Sequence, residues 1–386
     1  MIYLDRPWHI VHHVQKVKIR WYEIETRDHT TRFKKKIKLE ISTLSTFQTI
    51  YLTLGVIVHI PILYLVWYSS HKNKHSLEPI CIQSIIQGKE LCRPLCQYGQ
   101  FSLYGMHQCR PWLTCDDLQQ VEKITRIGRG LVKEVYVARW KDFVVAYSQL
   151  TSPHYQADFQ QGIQVLKHFH GHQRIVQLIG FCDNIMITEF HSLGEATKFN
   201  KHLETFPEVN SIFRRFQFCI DYVEILSKLH STSDDKAYVM CDTNSLDKVF
   251  TQYLLSEDMR LVLNDVDSVA MTTKVSGKWR GIKCGNRELD GEFVAPEQRW
   301  SRITDFNDSE MQTYDEKTDI WKVPSVCNYF LGNSLQATNL QMRLLDIHMA
   351  CKHVNLSRRP TALHILWTYR NLLKQLQDQD LFVKEV

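Results

Sequence analysis

Between Glu40 and Lys72 the chain carries no Asp, Glu, Lys or Arg, and before Cys81 it carries no cysteine. Glycine and proline are scarce, 15 and 10 among 386 residues, which excludes collagen-like and linker-like sequence. With 44% apolar and 23% charged residues a disordered chain is excluded as well. Most of the chain also lacks any excess of charge. The net charge is +5, yet residues 1–40 hold ten Lys/Arg against five Asp/Glu, and the remainder holds 37 of each. A balanced remainder offers no broad footprint for a phosphate backbone, so nucleic acid is not expected as a partner.

The uncharged stretch contains TIYLTLGVIVHIPILYLVWYSS, from Thr49 to Ser70, with an apolar run of about 20 residues. That length crosses ~30 Å of hydrocarbon as a helix. His59 and Pro61 interrupt it to a degree a spanning helix tolerates, and Tyr64, Trp67 and Tyr68 suit the interfacial belt. A buried core helix and a cleaved signal peptide are the competing readings, although a signal peptide normally lies nearer the terminus. Arg32, Lys34, Lys35, Lys36 and Lys38 precede the run, whereas only Lys72 and Lys74 follow closely, so the basic side should remain in the cytosol. The expectation is a cytosolic segment 1–43, a single signal anchor 44–69 and a lumenal remainder.

All 11 cysteines follow the run, as an oxidising compartment permits. Cys81, Cys92, Cys96, Cys109 and Cys115 crowd one segment, read here as a stapled stem over 70–118. Zinc is disfavoured, because Cys92-x3-Cys96 has no companion pair of matching spacing. Asn307-Asp308-Ser309 and Asn355-Leu356-Ser357 are glycosylation sequons in such a compartment.

Residues 121–150 read as a hairpin with a glycine-bearing turn, Gly128 and Gly130, followed by a third strand. Glycines there let backbone N–H groups approach phosphates, and equally make an ordinary hairpin. A helix over 157–169 places Phe159, Ile163, Leu166 and Phe169 on one face. Strands follow at 175–181 and 185–190, then a helix over 211–230 and a mainly helical remainder.

This order resembles the protein kinase family over residues 120–375. IGRG resembles the glycine-rich loop, and ITEFHSLG, Ile187 to Gly194, the hinge. VMCD ends in Asp242 where the catalytic Asp is expected, and VLNDVD places Asp265 at the metal-binding Asp of the DFG motif. VAPE ends in Glu297, whose partner in the fold is a late Arg, here Arg359 of RRPTA; YDEKTDIW supplies Asp319 and Trp321. The resemblance implies an α+β, bilobal protein kinase-like fold over 119–380, with an N-terminal antiparallel sheet lobe and a mainly helical C-terminal lobe behind a single transmembrane helix. It implies ATP, with Mg²⁺ or Mn²⁺, and nucleotide contacts from Gly128, Gly130, Lys133, Val135, Ala146 and Glu189.

The departures narrow the mechanism. Ser148 stands where the third strand should carry the phosphate-binding lysine, DFG reads Asp265-Val266-Asp267, and the helix that should offer a Glu shows Gln161 and Gly162. Phosphoryl transfer needs positive charge at the phosphates and a carboxylate for the acceptor hydroxyl, not a charge from one given strand. Strand alternation puts Lys133, Val135 and Val137 on one face. IGRGLVKEVY resembles the with-no-lysine kinases, which implies that Lys133 supplies the missing charge and that Lys133 and Asp242 are catalytic. Asp265 is the metal ligand expected first, with Asp247 or Asn244 completing the set; either could instead cap a loop.

The stem motifs CQYGQF and CRPWLTC, the MCD sequence, and the CGNREL and YDEKTDIWK segments resemble the membrane-anchored lumenal glycan kinases of this fold. That resemblance implies ATP-dependent phosphorylation of the 6-hydroxyl of mannose in an O-linked trisaccharide on dystroglycan, by a single-pass type II protein of the endoplasmic reticulum membrane. It also brings Cys241 and Cys284 together across the activation segment, joined or as two separate thiols. A nucleotide-binding scaffold without activity and a secretory Ser/Thr kinase remain the alternatives.

Overall fold

The computed structural model describes residues 81–384 apart from 87–88, 208–209, 233–234, 276–277, 286–287 and 301–302. The cytosolic segment, the anchor and the first part of the stem expected from the sequence lie outside the described residues. No helix among the described residues is long and apolar enough to cross a membrane.

Two small antiparallel pairs come first: β1 (Cys81–Ile86) with β2 (Lys89–Pro94), and β3 (Gln100–Phe101) with β4 (Arg110–Pro111). A one-turn helix α1 (Cys115–Leu118) leads into β5 (Glu122–Arg129), β6 (Lys133–Trp140) and β7 (Phe143–Leu150). Val and aromatic residues at alternate positions suit these strands, and Lys141, with φ 54°, closes the two-residue turn between β6 and β7. Helix α2 (Gln156–His168) buries Phe159, Ile163 and Leu166, as the spacing requires. Strands β8 (Leu178–Cys182) and β9 (Ile185–Glu189) complete an antiparallel sheet of order β5-β6-β7-β9-β8.

The sheet has two different faces. Ala138, Trp140, Val145 and Tyr147 face outward and share one core with Phe101, Leu103, Met106, Leu113 and Leu118 of the preceding segment. That segment is therefore folded onto the sheet. A Cys96–Cys109 bond closes it internally, and Cys115–Cys182 ties it to β8. Leu113 bridges Gly180 so closely that a Cβ there would lie 2.5 Å from the Leu113 Cβ, so only glycine fits. The strand expected from residue 175 begins at Leu178, because Val176 N donates to Leu263 O (2.8 Å) and Leu263 N to Arg174 O (2.8 Å).

The second lobe is built from α3 (Phe199–Thr205), α4 (Ile212–His230), α5 (Leu246–Thr251), α6 (Lys317–Leu331), α7 (Leu335–Arg343), α8 (Leu345–Cys351) and α9 (Ala362–Lys384). Short strands β10 (Lys236–Met240), β11 (Tyr253–Leu255), β12 (Leu261–Leu263), β13 (Val269–Val275) and β14 (Lys278–Arg280) frame its upper surface. Ser211 starts α4 by accepting from Arg214 N (3.2 Å), and the helix then runs buried through Phe216, Tyr222 and Leu226. Cys219–Cys327 joins α4 to α6. The Arg359 guanidinium meets Glu297 at 2.7 and 2.8 Å, the buried pair that the sequence motifs imply. An antiparallel sheet lobe followed by a helical lobe is the kinase-like α+β architecture. Asn307 and Asn355 are both exposed.

Candidate active site

Residues opposite each other in an antiparallel pair share a face, so Val135–Ser148 and Val137–Ala146 put Val135, Val137, Ala146 and Ser148 on the inner face beside Lys133. Gly130 N donates to Lys133 O (2.9 Å), closing the turn over this face. Neither Gly128 nor Gly130 has positive φ, and a Cβ at either would meet nothing nearer than 3.7 Å. Their smallness leaves room for a ligand and relieves no strain in the turn.

Lys133 is 8% exposed, and its Nζ lies 3.0 Å from Asp265 Oδ1 and 2.8 Å from Asp267 Oδ2. Burial opposes its charge, yet the two carboxylates hold the ammonium well above its ordinary range. Burial raises the Asp265 carboxyl, but the Lys133 charge and hydrogen bond, a backbone hydrogen bond from Asp267 and the Lys248 charge together leave it below its ordinary value. Asp267 goes the other way, pushed up by burial and by the Asp265 charge.

Asp267 was not among the residues singled out by sequence. It fills the place that a helix carboxylate would take, and the reason lies on α2. A Cβ added to Gly162 would sit 2.2 Å from Asp267 Oδ1, so the glycine admits the carboxylate to Lys133. Gln161 turns aside to donate to Val269 O (3.2 Å). Oδ1 of Asp267 is buried without a hydrogen-bond partner. Together with Asp265 it makes a hard oxygen donor set that fits a divalent cation such as Mg²⁺.

The catalytic loop is pinned from below. Asp319, fully buried, accepts from Met240 N (3.1 Å) and contacts His230 Nε2 (3.1 Å), and Lys322 donates to Thr243 Oγ1. Above these, Asp242 meets Lys248 Nζ at 2.7 Å. Asn244 is half-buried in this loop, whereas Asp247 is exposed in the first turn of α5, where its charge acts on the Tyr329 hydroxyl. Cys241 and Cys284 are joined. Beside them a groove of about 700 Å³ is lined by Asp158, Gln161, Gln164, Tyr238, Asp267 and Lys283.

Glu189 lies opposite Val145, on the outer face, so its side chain turns away from Ala146. It pairs with Arg93 of β2, and a nucleotide contact at this position is left to its backbone. His191 completes the cluster, 3.6 Å from Glu189 and 3.4 Å from Glu257, while Arg93 also covers the Tyr104 ring at 5.2 Å. Burial lowers the His191 pKa, but the two carboxylates win and raise it to about 9. A histidine raised from 6.5 to about 9 contributes its stability fully below pH 6.5 and loses it as pH rises through 9. Between those limits the melting midpoint should fall by several degrees, on the order of 2 kcal/mol. His191→Gln should remove most of that slope; an unchanged slope in the variant would show that the cluster does not titrate this way.

A chicken protein O-mannose kinase is 42% identical over 289 residues, 73% of this chain and 81% of that protein. The human protein O-mannose kinase is 41% identical over 290 residues, covering 73% and 82%, and that of Xenopus laevis 38% over 293 residues, covering 74% and 82%. No family model matches the chain.

Proposed function

Since the chain belongs to the protein O-mannose kinase family, we propose that it transfers the terminal phosphoryl group of ATP to the 6-hydroxyl of O-linked mannose, in a trisaccharide carried by dystroglycan. The observation that carries the mechanism is Lys133, buried between Asp265 and Asp267 on the face where Ser148 offers no charge. Asp242 accepts the hydroxyl proton as the mannose O6–phosphorus bond forms. The bond from that phosphorus to the bridging oxygen breaks, and its electron pair leaves with ADP. Lys133 orders Asp265 and Asp267 and offsets charge on the phosphates, while Val135 and Ala146 border the adenine. Asp265 and Asp267, with Asn244 or Asp247 as further donors, would hold Mg²⁺, which would supply charge neutralisation at the phosphate oxygens.

Asp158, Gln161, Gln164 and Lys283 along the groove beside Cys241 offer hydrogen-bond partners to an acceptor rich in hydroxyl groups. The disulfides Cys96–Cys109, Cys115–Cys182, Cys219–Cys327 and Cys241–Cys284 support an oxidising compartment, and the basic flank before 44–69 supports a single-pass anchor in the endoplasmic reticulum membrane with residues 70–386 lumenal.

The test offers the full-length chain three acceptors with labelled ATP: an O-mannosyl trisaccharide glycopeptide, the bare peptide, and Ser/Thr peptides. Label should appear on the mannose of the first alone. Label on peptide hydroxyls would favour a secretory protein kinase, and no transfer at all a nucleotide-binding scaffold.

A further inference from the structure

One cation at the site has no place in the mechanism above. Lys248 Nζ donates to Asp242 Oδ2 at 2.7 Å, from a side chain that is 48% exposed. An ion pair so open to water adds little to stability, so the fold does not explain it. Its position is set by structure on both sides. Ser245 caps α5 by accepting from Lys248 N (3.2 Å), which fixes where the helix begins. Gln252, at the other end of α5, accepts from Asn264 N (2.9 Å) and Asp265 N (3.1 Å) through its carbonyl. The helix that carries Lys248 is thus hydrogen-bonded to the backbone of Asp265, and the Lys248 charge reaches the Asp265 carboxyl. Lys248 therefore sits directly on the acceptor-side carboxylate, on a helix whose far end is bonded to the backbone of the phosphate-side carboxylate. Lys133 acts from the other side, its Nζ between Asp265 and Asp267 on the inner face of the sheet.

We propose that Lys248 is a further catalytic residue: its ammonium, poised on Asp242, donates to the oxygens of the phosphoryl group as it passes from ATP to the acceptor hydroxyl. This rests on the kinase reading of the site. An ammonium has three donors, and Asp242 engages one, so the group can turn to the phosphoryl oxygens. Turning also frees Asp242 to take the acceptor proton. Charge placed where charge develops acts on the transition state more than on bound ATP.

The experiment uses the full-length chain with Lys248→Met and Lys248→Arg. Turnover is measured with saturating ATP and O-mannosyl acceptor, and affinity is measured for ADP and for ADP with aluminium fluoride, a planar mimic of the phosphoryl group in flight. Lys248→Met should lower turnover about 10²- to 10³-fold. Its ADP affinity should stay within about threefold, which also reports a folded nucleotide site, while the extra affinity gained with aluminium fluoride is lost. Lys248→Arg should keep about a tenth of turnover or more. Turnover within about threefold of wild type, or an undiminished aluminium fluoride gain in Lys248→Met, would overturn the proposal. A wild-type chain that leaves the mannoside untouched would sink the acceptor reading instead, and the ADP comparison would still judge Lys248.

Discussion

Lys133→Met is expected to lower turnover about 10²- to 10⁴-fold, or roughly 3 to 5 kcal/mol of transition-state stabilisation. The lysine does two things at once. It places positive charge beneath the glycine turn, and it holds Asp265 and Asp267 together at 3.0 and 2.8 Å from one nitrogen. Without it the buried Asp267 carboxylate faces the partly exposed Asp265 with no cation beside it, so Asp267, already pushed up by burial, should protonate and leave the metal site. ATP affinity should therefore fall as well. Ser148→Lys in the same chain should restore less than about a tenth of the loss. Ser148 lies opposite Val135, and the helix position facing Asp267 is Gly162, with no carboxylate to orient a new lysine. Turnover and ATP affinity measured separately check this. Near-normal turnover in Lys133→Met would mean that another group carries the phosphate charge.

Asp242→Ala should have an effect as large but of different shape. Loss of a positioned general base costs about 10²- to 10⁴-fold. Its side chain is 28% exposed and meets Lys248 at 2.7 Å, while the loop beneath is held by Asp319 and Thr243. Truncation should thus leave the fold and the ATP affinity within about threefold of wild type while turnover falls by 10³-fold or more. Isothermal titration with ATP beside acceptor labelling separates the two quantities. A variant that still labels the mannoside at a tenth of the normal rate would remove Asp242 from the reaction.

Much of this site was legible from single strands and short motifs. Alternation along β6 puts Lys133 on the inner face with Val135, and the order of VMCD, VLNDVD, VAPE and RRPTA locates Asp242, Asp265, Glu297 and Arg359. What escaped were relations between elements. Asp267 and Gly162 are each visible in the sequence, but a carboxylate fitting over a missing Cβ is a property of two surfaces meeting. Lys248 follows Asp242 by six residues, and only the start of α5 at Ser245 turns it back onto that carboxylate. Glu189 reads as part of a hinge strand, but its pairing in register with Val145 sends the side chain to Arg93, far earlier in the chain. β8 starts three residues later than its apolar pattern suggests for the same reason, since Val176 bonds to Leu263 outside the sheet.

The Cys241–Cys284 bond closes a ring of backbone, its ends 43 residues apart, and the ring holds Asp242, Lys248, Asp265 and Asp267. Cys219–Cys327 closes a larger ring, its ends 108 residues apart, around the first. Nested in this way, the acidic half of the site is confined even when the chain unfolds with its disulfides intact, a constraint of about 4 kcal/mol for the inner ring alone. Lys133 and the sheet face that carries it must be brought in from outside. A protease cut anywhere between Asp242 and Lys283 would release no fragment, because both rings would still hold the cut ends on one molecule.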